Sequence, residues 1–306
     1  MPSLLTSLTA VERLSAHSTS LPPEFAKALG DDLQYARFGA ALPELPWFGG
    51  WALGLDAWSR RARAPHFTAL LHGTAPVAFG VKAAELVSNG ALVGVDAGLA
   101  FLAGYFTQLG IARALEPMVS ALIVAHRKPG ETELAARHRI EWAQALLLMQ
   151  DLHGSPMVGT SAIKAKLQIR KERGAQGVGR GLYELVRVSS QEAFGEAPTK
   201  PDVDGWMRGL YFFSMALASP LGRFTASTDG STREFYRGPN VDFFAALDRG
   251  LEHTREVLAL LGSMIRRNSF TARSKQRFLE LCPEGPLAAS AAPVPAPVVV
   301  GAVTAQ

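Results

Sequence analysis

The segment Ala97–Pro117, AGLAFLAGYFTQLGIARALEP, constrains the fold of this chain more than any other segment. It is the most apolar long stretch of the sequence, and it carries no charge before Arg113. On a helix, Gln108, Ala112 and Glu116 lie on one face, spread over about 12 Å. The rest of the circumference is mostly apolar, with Leu99, Phe101, Leu102, Tyr105, Phe106 and Leu109. Such a helix belongs inside a protein, so we predict a central helix with other helices packed around it.

The remaining sequence predicts an all-α fold. Hydrophobic residues make up 48% of the 306 residues, which is typical of a globular chain. Helical spacing recurs along the chain, and no segment sustains the alternation of a strand. We therefore predict a multi-helix bundle of roughly nine or ten helices, in a single domain over residues 1–282. Residues 283–306 are rich in Ala, Pro and Val, cannot build a packed core, and are predicted to form a disordered tail.

Charge and cysteine content restrict the compartment and the partners. The net charge of +4 is small for this length and does not mark a nucleic-acid-binding protein. The single cysteine, Cys282, allows no intrachain disulfide, and the N-terminus lacks the pattern of an export signal. The apolar run before Arg113 is about two residues short of a membrane span. These features predict a cytoplasmic protein without a transmembrane segment, and they do not identify a protein partner.

Five short elements occur in a characteristic order in the first half of the chain. They are Met1-Pro2-Ser3, Gly39–Glu44, Leu71–Phe79, Gly104–Pro117 and Arg137–Glu141. In this order and spacing the chain resembles the bacterial zinc-dependent phospholipase C family over roughly residues 1–150. That resemblance implies the all-α phospholipase C and single-strand nuclease fold. It also implies up to three zinc ions, which would activate a water to attack the phosphorus of a phosphodiester.

The chain departs from that family at most of the implied metal ligands. Where the family pattern has His, His, Asp and His, this sequence has Ser7, Gln108, Ala112 and Arg137. Gln is a poor zinc ligand, Ala has no donor atom, and Arg is a fixed cation that would repel a metal. The implied donor positions that remain are Glu44, His72, Glu116 and Glu141. One His and three carboxylates could hold a weaker cation, but not the trinuclear site of the family.

We interpret this pattern as a metal site that has decayed. No cofactor is expected, or zinc if the site still functions, and no catalytic residue is assigned. Arg137 then takes on a different meaning, because a guanidinium in the emptied cavity would replace the charge of the metal. We predict an ion pair between Arg137 and Glu141 or Glu116, the alternative being that Arg137 points to solvent.

Two further features of the sequence suggest surfaces that could bind lipid or nucleic acid. The aromatic loop Pro46–Trp51 could contact lipid through Trp47, Phe48 and Trp51, or these rings could pack beneath the loop. Two basic runs could meet the phosphates of lipid or nucleic acid, or form solvated helix faces. These runs are Lys164, Lys166, Arg170, Lys171 and Arg173, and Arg266, Arg267, Arg273, Lys275 and Arg277.

Three functions are compatible with the sequence. The first is a non-catalytic phospholipase C-like protein that binds phospholipid, a membrane surface or a protein. The second is an active but altered metal-dependent hydrolase of phosphodiesters, using Glu44, His72, Glu116 and Glu141. The third is a structural helical adaptor without a ligand. Nucleic acid is the least expected partner.

Overall fold

The computed structural model describes residues 3–51, 65–90, 92–169, 179–220, 222, 230–238 and 241–285. Within these ranges it is built almost entirely of helices, so the predicted all-α class is confirmed. The α-helices are α1 (Leu4–Ala16), α2 (Pro23–Asp31), α3 (Leu33–Ala41), α4 (Pro76–Ser88), α5 (Val95–His126), α6 (Glu133–His153), α7 (Ser161–Leu167), α8 (Arg180–Phe194), α9 (Lys200–Ala218), α10 (Phe243–Arg266) and α11 (Ala272–Leu281).

Shorter elements connect these helices. A 3₁₀ segment covers Leu45–Trp51, and a π-helical turn covers Leu70–Thr74. Two strands of two residues each, β1 (Arg237–Gly238) and β2 (Val241–Asp242), pair antiparallel and lead into α10. Strands of two residues are too short to show the alternating pattern of a strand in the sequence, so this hairpin was not predicted.

Side-chain caps fix where several helices begin. Ser3 accepts a hydrogen bond from the backbone N–H of Thr6 at the start of α1, and Thr132 accepts one from Ala135 at the start of α6. Thr199 forms a capping box with Asp202 at the start of α9. Each cap satisfies backbone donors that lack a partner in the first turn, which stabilises a helix by about 1 kcal/mol.

Helix α5 is the central helix that the sequence predicts. Every residue from Gly98 to Ala112 is buried, with α1, α2, α3, α4, α6 and α10 packed around the helix. Helix α3 crosses it closely, because a Cβ at Gly104 would lie 1.8 Å from the carbonyl oxygen of Ala36. The main hydrophobic core extends from Leu4 to Cys282.

The same helix is the only one in the described ranges long and apolar enough to cross a membrane by length and composition. Its most apolar window is 44% buried, and the residues from Gly98 to Ala112 are enclosed by other helices. Over Gly98–Ala112, α5 therefore has the surroundings of a core helix.

Two boundaries differ from those that the sequence suggests. A proline often ends a helix, but α5 continues through Pro117 to His126. Proline removes one backbone hydrogen bond, and the residues Leu115 and Val119 on either side of it are both buried in the fold. The expected tail also begins too early, since Pro283 and Glu284 are held by the fold.

The structure ties this C-terminal segment to the core through Arg113. Its guanidinium donates to the Cys282 sulfur at 2.8 Å and to the Pro283 carbonyl oxygen. The Glu284 carboxylate accepts hydrogen bonds from the backbone N–H groups of Val77, at 3.1 Å, and of Ala78. Residues 286–306, the rest of the predicted disordered tail, lie outside the described residues.

Candidate functional site

Four elements contribute the surviving donor residues. Glu44 lies in the turn between α3 and the 3₁₀ segment, and His72 lies in the π-helical turn. Glu116 is on α5, while Arg137 and Glu141 are one turn apart on α6. Residues four apart on a helix share one face, so α6 presents Arg137 and Glu141 together.

Arg137 on α6 forms an ion pair with Glu116 on α5 and lies close to Glu141 on its own helix. Its Nη1 and Nη2 atoms donate to Oε2 and Oε1 of Glu116, each at 2.7 Å. Nη1 also lies 3.6 Å from Oε1 of Glu141. Arg137 is only 5% exposed and the Glu116 side chain is 24% exposed, so the ion pair is partly buried, with Glu116 at its outer end. The predicted ion pair of Arg137 is therefore confirmed, with both of the glutamates proposed for it.

The fork-to-fork geometry explains the charge state of Glu116. Burial acts to raise the pKa of Glu116, but hydrogen bonds from Arg137 and Ser120 outweigh it and hold that pKa below its usual value. Burial acts to lower the pKa of Arg137, and the bonds to Glu116 raise it instead. Both groups are ionised at neutral pH, and neither Glu116 oxygen is left without a donor.

His72 and Glu44 form a separate buried pair. His72 Nε2 lies 2.8 Å from the carbonyl oxygen of Pro43 and 3.9 Å from Oε1 of Glu44. Burial lowers the pKa of His72 to about 3 and raises the pKa of Glu44 to about 8. At neutral pH both side chains are therefore uncharged, and their contact is not an ion pair.

The tautomer of His72 follows from its hydrogen bond. A carbonyl oxygen only accepts, so Nε2 carries the hydrogen that is donated to Pro43. Nδ1 then presents a lone pair, and it is buried without a hydrogen-bond partner among the described residues. The Oε1 atom of Glu44 is in the same condition.

Three of the replaced ligand positions, Ser7, Gln108 and Ala112, hold buried side chains without a charge. Ser7 on α1 donates a hydrogen bond from Oγ to Oε1 of Gln108 on α5. Both residues are fully buried, and Ala112, one turn further along α5, is 2% exposed. Two positions that the resemblance treats as former ligands are thus in contact with each other, across 101 residues of sequence.

These residues do not fit a zinc centre. The described part of the chain holds no group of three or more His, Cys, Asp or Glu side chains arranged to bind a metal ion. The four surviving donors divide into the pair Glu44 and His72 and the pair Glu116 and Glu141, and Arg137 lies within reach of both carboxylates of the second. The two pairs are neighbours, since the charge of Glu141 raises the pKa of Glu44.

The aromatic loop is packed against α9. Trp47, Phe48 and Trp51 surround the ring of Phe213, with ring centroids 5.9, 5.1 and 5.2 Å away. Phe48 is 4% exposed and so has almost no surface for the lipid contact suggested by the sequence. Trp47 and Trp51 are half-buried and retain part of theirs.

Sequence reasoning missed two groups at this site. Ser120, which donates to Glu116 at 2.8 Å, lies one helical turn after it, and that spacing was a usable signal. The Pro43 carbonyl gave no such signal, because a backbone oxygen becomes a partner only through the path of the loop.

Comparison with known proteins identifies no relative. No family model, no curated protein and no solved structure matches the chain. Kinship with the zinc-dependent phospholipase C family rests on the sequence motifs alone and enters the function as a proposal.

Proposed function

We propose that this chain is a divergent, non-catalytic protein of the zinc-dependent phospholipase C type, with a binding role toward lipid or protein. The observation that carries the proposal is the buried ion pair of Arg137 with Glu116 and Glu141. A guanidinium is a permanent cation with a planar fork that matches a carboxylate. It supplies positive charge between α5 and α6, but it has no coordination site at which a bound water would become a hydroxide.

Charge balance supports this interpretation. A buried carboxylate needs a cation or a proton, since an isolated buried charge costs many kcal/mol. Arg137 provides the cation for Glu116 and lies close to Glu141, while Glu44 retains its proton at neutral pH. The remaining acids are therefore compensated without any metal.

A second candidate is favoured by one observation. A histidine that binds a metal normally donates its other ring N–H to a carbonyl or carboxylate, which fixes the ring. His72 has this arrangement, with Nε2 donating to Pro43 and Nδ1 free. The alternative is thus an altered metal-dependent phosphodiester hydrolase. The helical adaptor remains a third alternative, without an observation that favours it.

A hydrolysis assay separates the first two candidates. The full chain is incubated with a chromogenic phosphodiester, with added zinc and with a chelator. We expect the rate to equal that of buffer in both conditions. A zinc-dependent rate that is lost in His72→Ala would reject the non-catalytic proposal and establish the hydrolase.

A flotation assay addresses the binding role. Vesicles of phosphatidylcholine are mixed with the chain and with Trp47→Ala/Trp51→Ala, which removes the half-buried indoles. Weaker flotation of the double variant would support a lipid contact at this loop. Equal behaviour of both proteins would remove lipid from the proposal for this loop and leave a protein partner.

A further inference from the structure

One of the two basic runs of the sequence lies at a corner of the fold. Between Arg266 and Leu281 there are five Lys or Arg residues and one Glu, a net charge of +4. The other run, residues 164–173, has the same net charge, but its residues 170–173 lie outside the described residues. The small overall charge of the chain therefore hides local excesses of positive charge.

This corner is the junction between α10 and α11. Helix α10 ends at Arg266 with Arg267 as its C-cap, and α11 begins after Thr271, which accepts a hydrogen bond from the backbone N–H of Ser274. Asn268 turns the chain with a φ of 44°, a conformation that Asn tolerates better than most residues. We call the exposed arginines of this junction, Arg267, Arg273 and Arg277, the basic corner.

The corner is a firm part of the structure. Ser88 on α4 donates from Oγ to Oδ1 of Asn268 at 3.1 Å, and the backbone N–H of Ser269 donates to Met264 at 2.9 Å. On the inner side of α11, Phe278 is fully buried, with its ring 5.5 Å from that of Phe106 on α5. The outer side of α11 is thus presented in a fixed orientation.

Neighbouring acids neutralise only part of the charge. Arg266 pairs with Glu24 on α2, and Lys275 pairs with Glu85 on α4 at 3.1 Å. The three residues of the basic corner form no ion pair with any described residue. Arg273 and Arg277 are four residues apart on α11, where like charges destabilise an isolated helix. The repulsion between these two arginines reduces the stability of α11, and a nearby anionic surface would relieve it.

We propose that the basic corner docks the protein onto an anionic lipid membrane. Each Lys or Arg near such a surface contributes about a fivefold gain in binding, so three give roughly 100-fold. The inference is independent of the metal site, because it rests on residues of α10 and α11 alone. If the binding role proposed above is correct, the basic corner adds to it a lipid class and a docking surface.

The composition of the surroundings favours a membrane over a nucleic acid. Proteins that bind single strands pair basic groups with exposed aromatic rings for base stacking. Near the basic corner, Phe278 is buried and Phe270 is half-buried against the core. The sequence that follows, residues 285–306, contains no charged residue, whereas a phosphate-binding arm would be rich in Lys and Arg.

A matched pair of triple variants tests the proposal. Arg267→Gln/Arg273→Gln/Arg277→Gln removes the basic corner. Arg127→Gln/Arg208→Gln/Arg249→Gln removes three exposed arginines elsewhere with the same change in net charge. Binding of both variants and the original chain is measured by co-sedimentation with vesicles containing about one-third phosphatidylserine, and with vesicles of phosphatidylcholine alone. Circular dichroism checks that each protein is folded.

The proposal expects binding to the phosphatidylserine vesicles that weakens as salt is raised through about 0.1 M. It expects a roughly 100-fold loss for the corner variant and a loss below threefold for the control. No preference for the anionic vesicles would overturn it, as would equal losses in the two variants. Binding of the original chain to a nucleic acid, lost only in the corner variant and tighter than vesicle binding, would assign the surface to the other class of polyanion.

Discussion

At the scale of single residues, Arg137 determines the charge balance between α5 and α6. A buried ion pair is weak evidence of a gain in stability, since an apolar pair of the same volume often does as well. Breaking such a pair is different, because the partner is left charged and buried. Arg137 and Glu141 are 5% and 6% exposed and the Glu116 side chain is 24% exposed, so solvent can replace the guanidinium only in part.

We therefore expect Arg137→Met to destabilise the protein by about 2–3 kcal/mol, measured by urea unfolding, which is less than for a fully buried pair because Glu116 keeps some contact with solvent. Methionine keeps the length of the side chain but leaves Glu116 without its cation. Arg137→Met/Glu116→Gln should recover a part of the loss. Arg127→Met, at an exposed position, is the control and should change stability by less than about 0.5 kcal/mol. Equal effects of the two single variants would contradict the buried ion pair.

The burial of Glu44 predicts a dependence of stability on pH. Its pKa rises from 4.5 to about 8 on folding, so the folded state holds a proton that the unfolded state releases. Stability from this group is complete below pH 4.5 and is lost as the pH rises toward 8. We expect Glu44→Gln to remove a decline on the order of 1.5 kcal/mol between pH 6.5 and 8.

The measurement is urea unfolding of the original chain and the Glu44→Gln variant across this pH range. Burial of His72 acts in the opposite direction at lower pH, since its pKa falls from 6.5 to about 3 and its contribution is lost below pH 6.5. Work above pH 6.5 therefore isolates Glu44. Parallel curves for the two proteins would show that Glu44 is ionised in the folded state.

At the scale of elements, the close crossing of α3 and α5 fixes the centre of the fold. A methyl group at Gly104 would meet the backbone of Ala36, which cannot move without shifting α3. We expect Gly104→Ala to destabilise the protein by about 1–3 kcal/mol or more, measured as a lower midpoint of urea unfolding.

Gly30 on α2 is the control for this crossing. A Cβ there would meet nothing within 4 Å, so Gly30→Ala should be neutral or should stabilise by about 0.5–1 kcal/mol. If Gly104→Ala is as harmless as Gly30→Ala, the helices do not cross as closely as described.

A second prediction at this scale concerns the start of α4. Its first backbone donors, Val77 and Ala78, are satisfied by Glu284 from the far end of the chain. Removing a cap costs about 1 kcal/mol, so Glu284→Ala should lower the midpoint of thermal unfolding. Glu280→Ala, on the exposed side of α11, is the matched control. The cap would be refuted by identical midpoints.

The sequence predicted the parts of the fold that depend on local pattern. The apolar run around Tyr105 predicted a buried central helix, which is α5. The continuation of α5 through Pro117 was missed, because contacts of neighbouring helices decide whether a proline breaks a helix. The Glu284 cap was missed for a similar reason, since the two partners are more than 200 residues apart and no local spacing connects them.

At the site, the sequence identified the positions better than their states. The motif order placed Arg137 beside the surviving acids, and the ion pair followed from charge alone. The neutral forms of Glu44 and His72 were not predictable, because they result from how far the fold buries the two side chains, which are 17% and 8% exposed. The packing of Phe48 against Phe213 was equally hidden, since α9 lies far along the chain.

At the scale of the whole molecule, the described part of the chain is an all-α fold around α5, with a compensated acidic cluster and a basic corner at the junction of α10 and α11. Restoring donor residues tests whether the cluster descends from a zinc site. We expect the variant with Gln108→His, Ala112→Asp and Arg137→His to gain stoichiometric zinc and a higher midpoint of thermal unfolding with zinc, by linkage of binding to folding. A folded variant that binds no zinc would count against the kinship.

Elemental analysis of the original chain, purified and dialysed against zinc, tests the central claim most directly. If Arg137 occupies the place of the metal, the zinc content stays well below one ion per chain. One or more tightly held zinc ions per chain, removed by His72→Ala, would contradict the claim that a guanidinium has replaced the metal.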